Sequence, residues 1–363
     1  MVEAIQPRVV VVTGGSSGIG LGSAALFAAK GWRVGLISRS EERLAKAADL
    51  IEQRSPGTTV AWAAADVSDN KALASAARRI AATLGPISVW INAAGNGVYG
   101  HFADVSEDEF RRVTDVTYLG TVNGTRVALS HMRPRDEGTI VNVCSAVVFH
   151  GVPLMTSYSG AKAAVRAFGQ SLRLELRLAG SHVRLGTLFP PAINTPFFDH
   201  AVSHMGFPSR PVPPVYGTRV AAQGVYFCAT GGGGEMLLTG VVIAYSLIVR
   251  VSLRLAGFLV SKSDFASEMP RDDPGSARLP SLFTPAGSRC VMDGGFGSQA
   301  RNWSTHLKLL SAWRTLRAFM MPAPRLSAPR PAARSPRAPG CTGADRLPAG
   351  SALPEPAASD SAR

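Results

Sequence analysis

The stretch Arg8-Val-Val-Val-Val-Thr13-Gly14-Gly15-Ser16-Ser17-Gly18-Ile19-Gly20 decides how this chain folds. Its first part is a short β-branched run, the mark of a buried strand. Its second part is a glycine cluster, and the Ala-rich residues 23–30 after it read as a helix that stops near Gly31. A strand, a glycine turn and a helix in this order bind dinucleotides. The glycines let the backbone turn tightly and approach a pyrophosphate, and free N–H groups at the helix start hold that anion. The spacing here is GxxxGxG. The residues Gly14-x-Ser16-x-Gly18 also fit the GxSxG nucleophile elbow of α/β-hydrolases, which would make Ser16 a nucleophile. That elbow ordinarily lies well into a chain, whereas this one follows the first strand.

Outward from the turn, strand-like and helix-like segments alternate. Strands are expected at 34–38, 60–64, 88–92, 139–143 and 183–189, and 237–244 is the expected final strand. Helices are expected from Ser40, over 71–84, from the capping box Ser106-Glu107-Asp108-Glu109 through about Tyr118, and over 158–178. Alternation of this kind implies an α/β, Rossmann-type, doubly wound and mostly parallel sheet with helices on both faces. A single main domain over 1–262 is expected, with an irregular C-terminal extension over 263–321. The final 42 residues, 322–363, hold nine Pro, eleven Ala and no aromatics, and so read as a disordered tail.

Composition narrows the function. Of the chain, 46% is hydrophobic and 17% charged, enough to bury a core. The four cysteines are far apart and form no CxxC, which argues against a disulfide scaffold or a zinc ribbon. The first residues, MVEAIQPR, run straight into an apolar strand and leave no room for a secretory signal, so a cytoplasmic location is expected. The net charge of +13 is the excess of 32 Arg and 6 Lys, spread evenly along the chain, over 25 Asp and Glu. Nucleic-acid binding asks instead for a clustered basic stripe, so no nucleic-acid partner is expected.

Two further features carry chemistry. In a dinucleotide fold the residue ending the second strand meets the adenosine ribose, and an Arg there accommodates the 2′-phosphate of NADP. Ser38 and Arg39 stand at that point, so NADP(H) is the preferred cofactor and NAD(H) the second option. Tyr158 and Lys162 lie one helical turn apart on the same face. A nearby cation favours a phenolate and lowers the phenol's pKa, which allows acid–base work near neutral pH.

Together these residues resemble the short-chain dehydrogenase/reductase family over about residues 8–245. The family's glycine motif matches Thr13–Gly20, and its adenine-contacting Asp matches Asp66, followed by Val67. Its NNAG motif matches Asn92-Ala93-Ala94-Gly95, with the second Asn replaced. Its catalytic Ser matches Ser145, its YxxxK matches Tyr158 and Lys162, and its PG…T segment matches Pro190, Ile193 and Thr195, with Pro191 in place of Gly.

The resemblance implies an NAD(P)-dependent, metal-independent oxidoreductase in which Tyr158 exchanges a proton with the substrate oxygen. It implies that Lys162 lowers the Tyr158 pKa and holds the nicotinamide ribose, that Ser145 binds the substrate oxygen, and that Thr195 contacts the carboxamide. The family's helix after NNAG usually carries a catalytic Asn, and Thr117 stands there instead. That departure keeps open a catalytically weak dinucleotide-binding sensor. The resemblance further implies a homodimer or homotetramer through the helices near 107–131 and 158–179.

The loop 196–220, with Phe197, Phe198, Met205, Phe207 and Tyr216, is expected to cap the site over an apolar alcohol or ketone. His200 and His204 have i,i+4 spacing without a third ligand nearby and read as loop residues. The apolar segment 237–260 carries only Arg250 and Arg254 as charges, and weak membrane-surface contact is expected of 246–260. PPAINTP and this segment look like an uncharacterised bacterial subgroup. Cys290-Val-Met-Asp-Gly-Gly295 resembles the family's end-of-sheet VDGG and competes with 237–244 for the last strand.

Overall fold

The computed structural model of the chain describes residues 8–231, 233–262, 281–285 and 290–320. The expected disordered tail lies outside these residues. The described residues up to Arg317 group into one contact unit. The strands are β1 Val9–Thr13, β2 Arg33–Ser38, β3 Val60–Ala64, β4 Ile87–Asn92, β5 Val98–Tyr99, β6 Thr139–Val143, β7 Arg184–Phe189, β8 Ile193–Asn194, β9 Val202–Ser203, β10 Tyr216–Gly217 and β11 Gly234–Leu237. The helices are α1 Gly18–Ala28, α2 Glu41–Arg54, α3 Asn70–Leu84, α4 Glu107–Thr114, α5 Gly120–Met132, α6 Thr156–Leu178, α7 Phe197–His200, α8 Thr218–Gly231, α9 Gly240–Val251, α10 Leu253–Lys262 and α11 Thr305–Met320.

Seven strands form one parallel sheet in the order β11-β7-β6-β4-β1-β2-β3. The chain starts in the middle and winds outward twice, which leaves a crevice beyond the C-terminal ends of β1 and β4, where the order reverses. Both faces are covered, so β1 is buried throughout and apolar up to Thr13. Successive side chains point to opposite faces: Val10 and Val12 pack with Leu21, Phe27 and Leu44, and Val9 and Val11 pack with Leu73, Ile80 and Val127. Local signals set the helix starts. Ser40 Oγ accepts from Arg43 N, Asp69 accepts from Lys71 N and Ala72 N, and the capping box at Ser106 and Glu109 forms in both directions.

Three expectations need correction. The last strand is neither 237–244 nor 290–295 but β11, Gly234–Leu237. Thr239 ends it by capping α9, its hydroxyl accepting from Val242 N at 3.4 Å, so the apolar residues that follow are helical. The helix after Ser106 does not stop at Tyr118. It passes through a π-helical turn, Asp115–Leu119, and continues as α5. The extension is not irregular throughout, since it contains α11. No helix among the described residues is long and apolar enough to cross a membrane.

Candidate active site

A cavity of about 540 Å³ opens at the crevice. Gly14, Ser16, Ser17, Gly18, Ile19 and Gly20 line it, together with Ser38, Arg39, Asp66 and Val67. So do Ala93, Ala94 and Gly95 after β4, then Ser145, Tyr158, Lys162, Pro190, Ile193 and Thr195. The glycine turn fits a cradle for a pyrophosphate. Gly14 has φ +68°, and a Cβ there would meet Ala94 N at 2.8 Å. The N–H groups of Ile19 and Gly20 have no backbone acceptor among the described residues, which leaves them for an anion at the helix start.

Thr13, Asn92 and Thr117 do not line the cavity. Thr13 Oγ1 donates to Ile91 O at 3.3 Å. Asn92 turns into the core, where its Oδ1 accepts from Trp90 Nε1 at 2.8 Å and its Nδ2 donates to Asn142 Oδ1 at 2.9 Å. Asn92 therefore ties β4 to β6 and is placed to support the site rather than to touch a ligand.

Ser145 follows β6, and Tyr158 and Lys162 come from the first turns of α6. The Ser145 hydroxyl hydrogen-bonds the Tyr158 phenol. Lys162 Nζ donates to Val143 O at 2.7 Å and lies 5.7 Å from the centroid of the Tyr158 ring. Burial pushes the Tyr158 phenol above its ordinary pKa and pushes Lys162 below its own. Burial is the largest cause at Tyr158 and favours the protonated phenol. Burial also raises the neighbouring Cys144 thiol to about 11, which leaves it without nucleophilic character.

Asp66 is raised by burial, but hydrogen bonds from Arg112 and from Ser68 N and Oγ outweigh this and hold it below the usual carboxylate value. Arg39 Nη1 and Nη2 donate to the carbonyls of Ser281, Leu282 and Phe283 at 2.6–3.1 Å. Arg43, on the first turn of α2, also lines the cavity, and its buried Nε has no partner.

The sequence profile of the short chain dehydrogenase family matches residues 8–206. The chain belongs to this family. As a short-chain dehydrogenase it is an oxidoreductase. It is 29% identical over 287 residues to the uncharacterised oxidoreductase YxnA of Bacillus subtilis, covering 78% of this chain and 80% of that one. It is 33% identical over 192 residues to a 3-dehydrosphinganine reductase of Danio rerio, a match that spans 52% of this chain and 57% of the relative. An NADP-dependent (R)-specific alcohol dehydrogenase of Lentilactobacillus kefiri is 31% identical over 201 residues, 55% of this chain and 78% of that protein. Among solved structures, the alcohol dehydrogenase of Thermococcus sibiricus complexed with 5-hydroxy-NADP superposes with a TM-score of 0.56 at 25% identity, over 63% of this chain and 95% of that one. A Burkholderia phymatum member in complex with NAD shares the fold, with a TM-score of 0.62 at 24% identity, over 69% of this chain and 95% of that one.

Two parts of this short-chain dehydrogenase site were not legible in its sequence. Thr117 sits on the π-helical turn, a distortion that often marks functional sites. Its hydroxyl accepts from Asn96 N at 3.3 Å and lies 3.4 Å from Asn96 Oδ1. Asn96 lines the cavity, and its buried Nδ2 has no partner. A Cβ on Gly95 would lie 3.8 Å from both Lys162 Nζ and Thr117 Oγ1, so the segment after β4 passes between the ammonium and the Thr117 hydroxyl. The second part is residues 291–296. Val291 O accepts from Gly18 N at 3.0 Å, Met292 O accepts from Thr218 Oγ1 at 3.0 Å, and Asn194 Oδ1 accepts from Phe296 N at 3.0 Å. The VDGG-like string is thus a buttress for the glycine turn. Of the capping side chains, Phe197 and Phe198 line the cavity, whereas Met205, Phe207 and Tyr216 do not.

Proposed function

We propose that the chain interconverts an apolar alcohol and its carbonyl with NADP(H), using Tyr158 as proton donor and acceptor. The observation that carries this reading is that Ser145, Tyr158 and Lys162 share one cavity with the glycine turn. The nicotinamide, when bound, supplies or accepts the hydride. Ser145 holds the substrate oxygen beside the phenol, and Tyr158, kept protonated by burial, delivers a proton to that oxygen during reduction. Lys162, fixed by Val143 O, places positive charge beside the phenolate that remains. No hydrogen bond links Ser16 to a histidine among the described residues, which disfavours the hydrolase reading. Apolar side chains including Val152, Met155, Phe197, Val242 and Leu259 line the cavity and favour an apolar substrate. A cytoplasmic enzyme pairing through α6 fits the exposed Leu174 and Leu178. Incubation with NADPH and a panel of ketones tests the reading, and absence of any carbonyl-dependent NADPH oxidation would favour the sensor.

The NADP preference rests on Arg39 and Arg43, which stand where an acid would bind a 2′-hydroxyl. NADPH is expected to bind about ten-fold or more tighter than NADH, and Arg39→Asp to reverse the order. Fluorescence titration of both cofactors checks this, and equal affinities in the unmodified protein would remove Arg39 from the role.

Asn96, hydrogen-bonded to Thr117 and lining the cavity that Lys162 also lines, carries an unpartnered amide that Thr117 lacks. Asn96→Ala is expected to lower kcat about ten-fold at unchanged KM for cofactor, and Thr117→Asn in that background to restore part of it. A kcat unaffected by Asn96→Ala would separate Asn96 from turnover.

A further inference from the structure

Among the described residues, exposed large apolar side chains concentrate on α9 and α10: Val241, Leu247, Val251, Leu253, Leu255 and Leu259. The pattern is inverted for a helix on a globular surface, whose outer face is ordinarily polar. On α9 the outer face is Val241, Ala244, Leu247 and Val251 at helical spacing, while Ser246 is buried on the inner side. Among the described side chains of α9 and α10 the only charges are the exposed Arg250 and Arg254, and the sequence holds no acid between Glu235 and Asp264. Val241 and Leu259 are 40% and 42% exposed and also line the active-site cavity. The apolar outer surface and the apolar cavity are therefore continuous.

We propose that α9 and α10 seat in the headgroup–acyl boundary of an anionic lipid surface, and that the substrate is a long-chain ketone or alcohol drawn from that surface past Val241 and Leu259. The substrate half rests on the alcohol/carbonyl reading above, and the docking half does not. Three observations select a lipid surface as the occupant. An apolar helix face flanked by arginines and free of acids matches an acyl boundary under anionic headgroups. A second copy of the same face would bring like charges together. Helices of 12 and 10 residues, broken at the extended Ser252, are too short to span a bilayer and long enough to lie in its interface.

Vesicle co-sedimentation of the full chain tests the docking. The protein is expected to pellet with vesicles containing about a third phosphatidylglycerol, and to pellet far less with phosphatidylcholine alone. Arg250→Glu and Arg254→Glu should each weaken binding about five-fold or more, and Leu247→Glu and Val251→Glu should abolish it. All four positions are exposed and outside the cavity lining, so melting temperature and turnover of a short, water-soluble ketone should stay unchanged. Turnover of a long-chain ketone embedded in the anionic vesicles should fall about ten-fold in Leu247→Glu. Absence of vesicle binding would overturn the docking, as would binding indifferent to these substitutions. A dimer in gel filtration that Leu247→Glu dissociates would show a second copy covering the face and overturn it as well. Vesicle binding with no turnover of any ketone would overturn the enzymatic reading and leave the docking supported.

Discussion

Replacing Tyr158 by Phe is expected to lower kcat about a thousand-fold, equivalent to about 4 kcal/mol of transition-state stabilisation, while cofactor affinity stays within a few-fold. The ring keeps its packing, 5.3 Å from Phe197, so the variant should fold. What it loses is the O–H that shares a hydrogen bond with Ser145. No other side chain brought together in the cavity at that point can take over. Ser145 has an ordinary hydroxyl without a base of its own, and Lys162 is tied to Val143 O. The pH dependence follows from the same geometry. The phenol's pKa is raised, so its protonated form persists across the neutral range and reduction should hold level there, falling only as pH climbs past that raised value. Oxidation needs the phenolate and should rise with pH over the same interval. Single-turnover rates with NADPH over a pH series would check both limbs. A Phe variant retaining more than about a tenth of kcat would take the general-acid role away from Tyr158.

The legible parts of this protein are those whose physics is local. The fully buried VVVV of β1, the glycine turn and the box Ser106–Glu109 each carry their own structural cause within a few residues, and the parallel sheet follows from the strand–helix alternation. The last strand differs from the expected 237–244 because LLTGVVIA is apolar on both sides of Thr239-Gly240, and periodicity alone does not separate a buried strand from an apolar helix. Thr239 held the deciding signal as an N-cap. The active site was legible as motifs and less so as contacts. Asn92 belongs to the motif but spends its amide on Asn142. Arg39 stands at the expected place, yet its guanidinium is shared with carbonyls more than two hundred residues away. Nothing in the sequence around Arg39 announces Ser281–Phe283, and nothing around Gly18 announces Val291. Such pairings appear only once the chain is folded.

The glycine turn supplies the second large effect. Gly20→Ala is expected to weaken NADPH binding about a hundred-fold, while its cost in stability stays within about 1–3 kcal/mol. A Cβ on Gly20 would run into the Gly14 carbonyl, with Gly14 C 2.8 Å away, and both are backbone atoms that no rotamer change can move. Gly14 has no room to retreat. A Cβ on it would already lie 2.8 Å from Ala94 N, and its φ of +68° belongs to the region that favours glycine. The turn is therefore clamped between the start of α1 and the segment after β4, and an added methyl group must open it. Opening it turns the Ile19 and Gly20 N–H groups away from the cavity, and these are the groups proposed to hold the cofactor's pyrophosphate. The strands beneath keep their register, so most of the fold survives. Thermal melting and NADPH fluorescence titration on the same preparation separate the two effects. A variant that melts within a few degrees of the parent but binds NADPH within about three-fold of it would show that the turn yields, and that the cofactor's phosphates are held elsewhere.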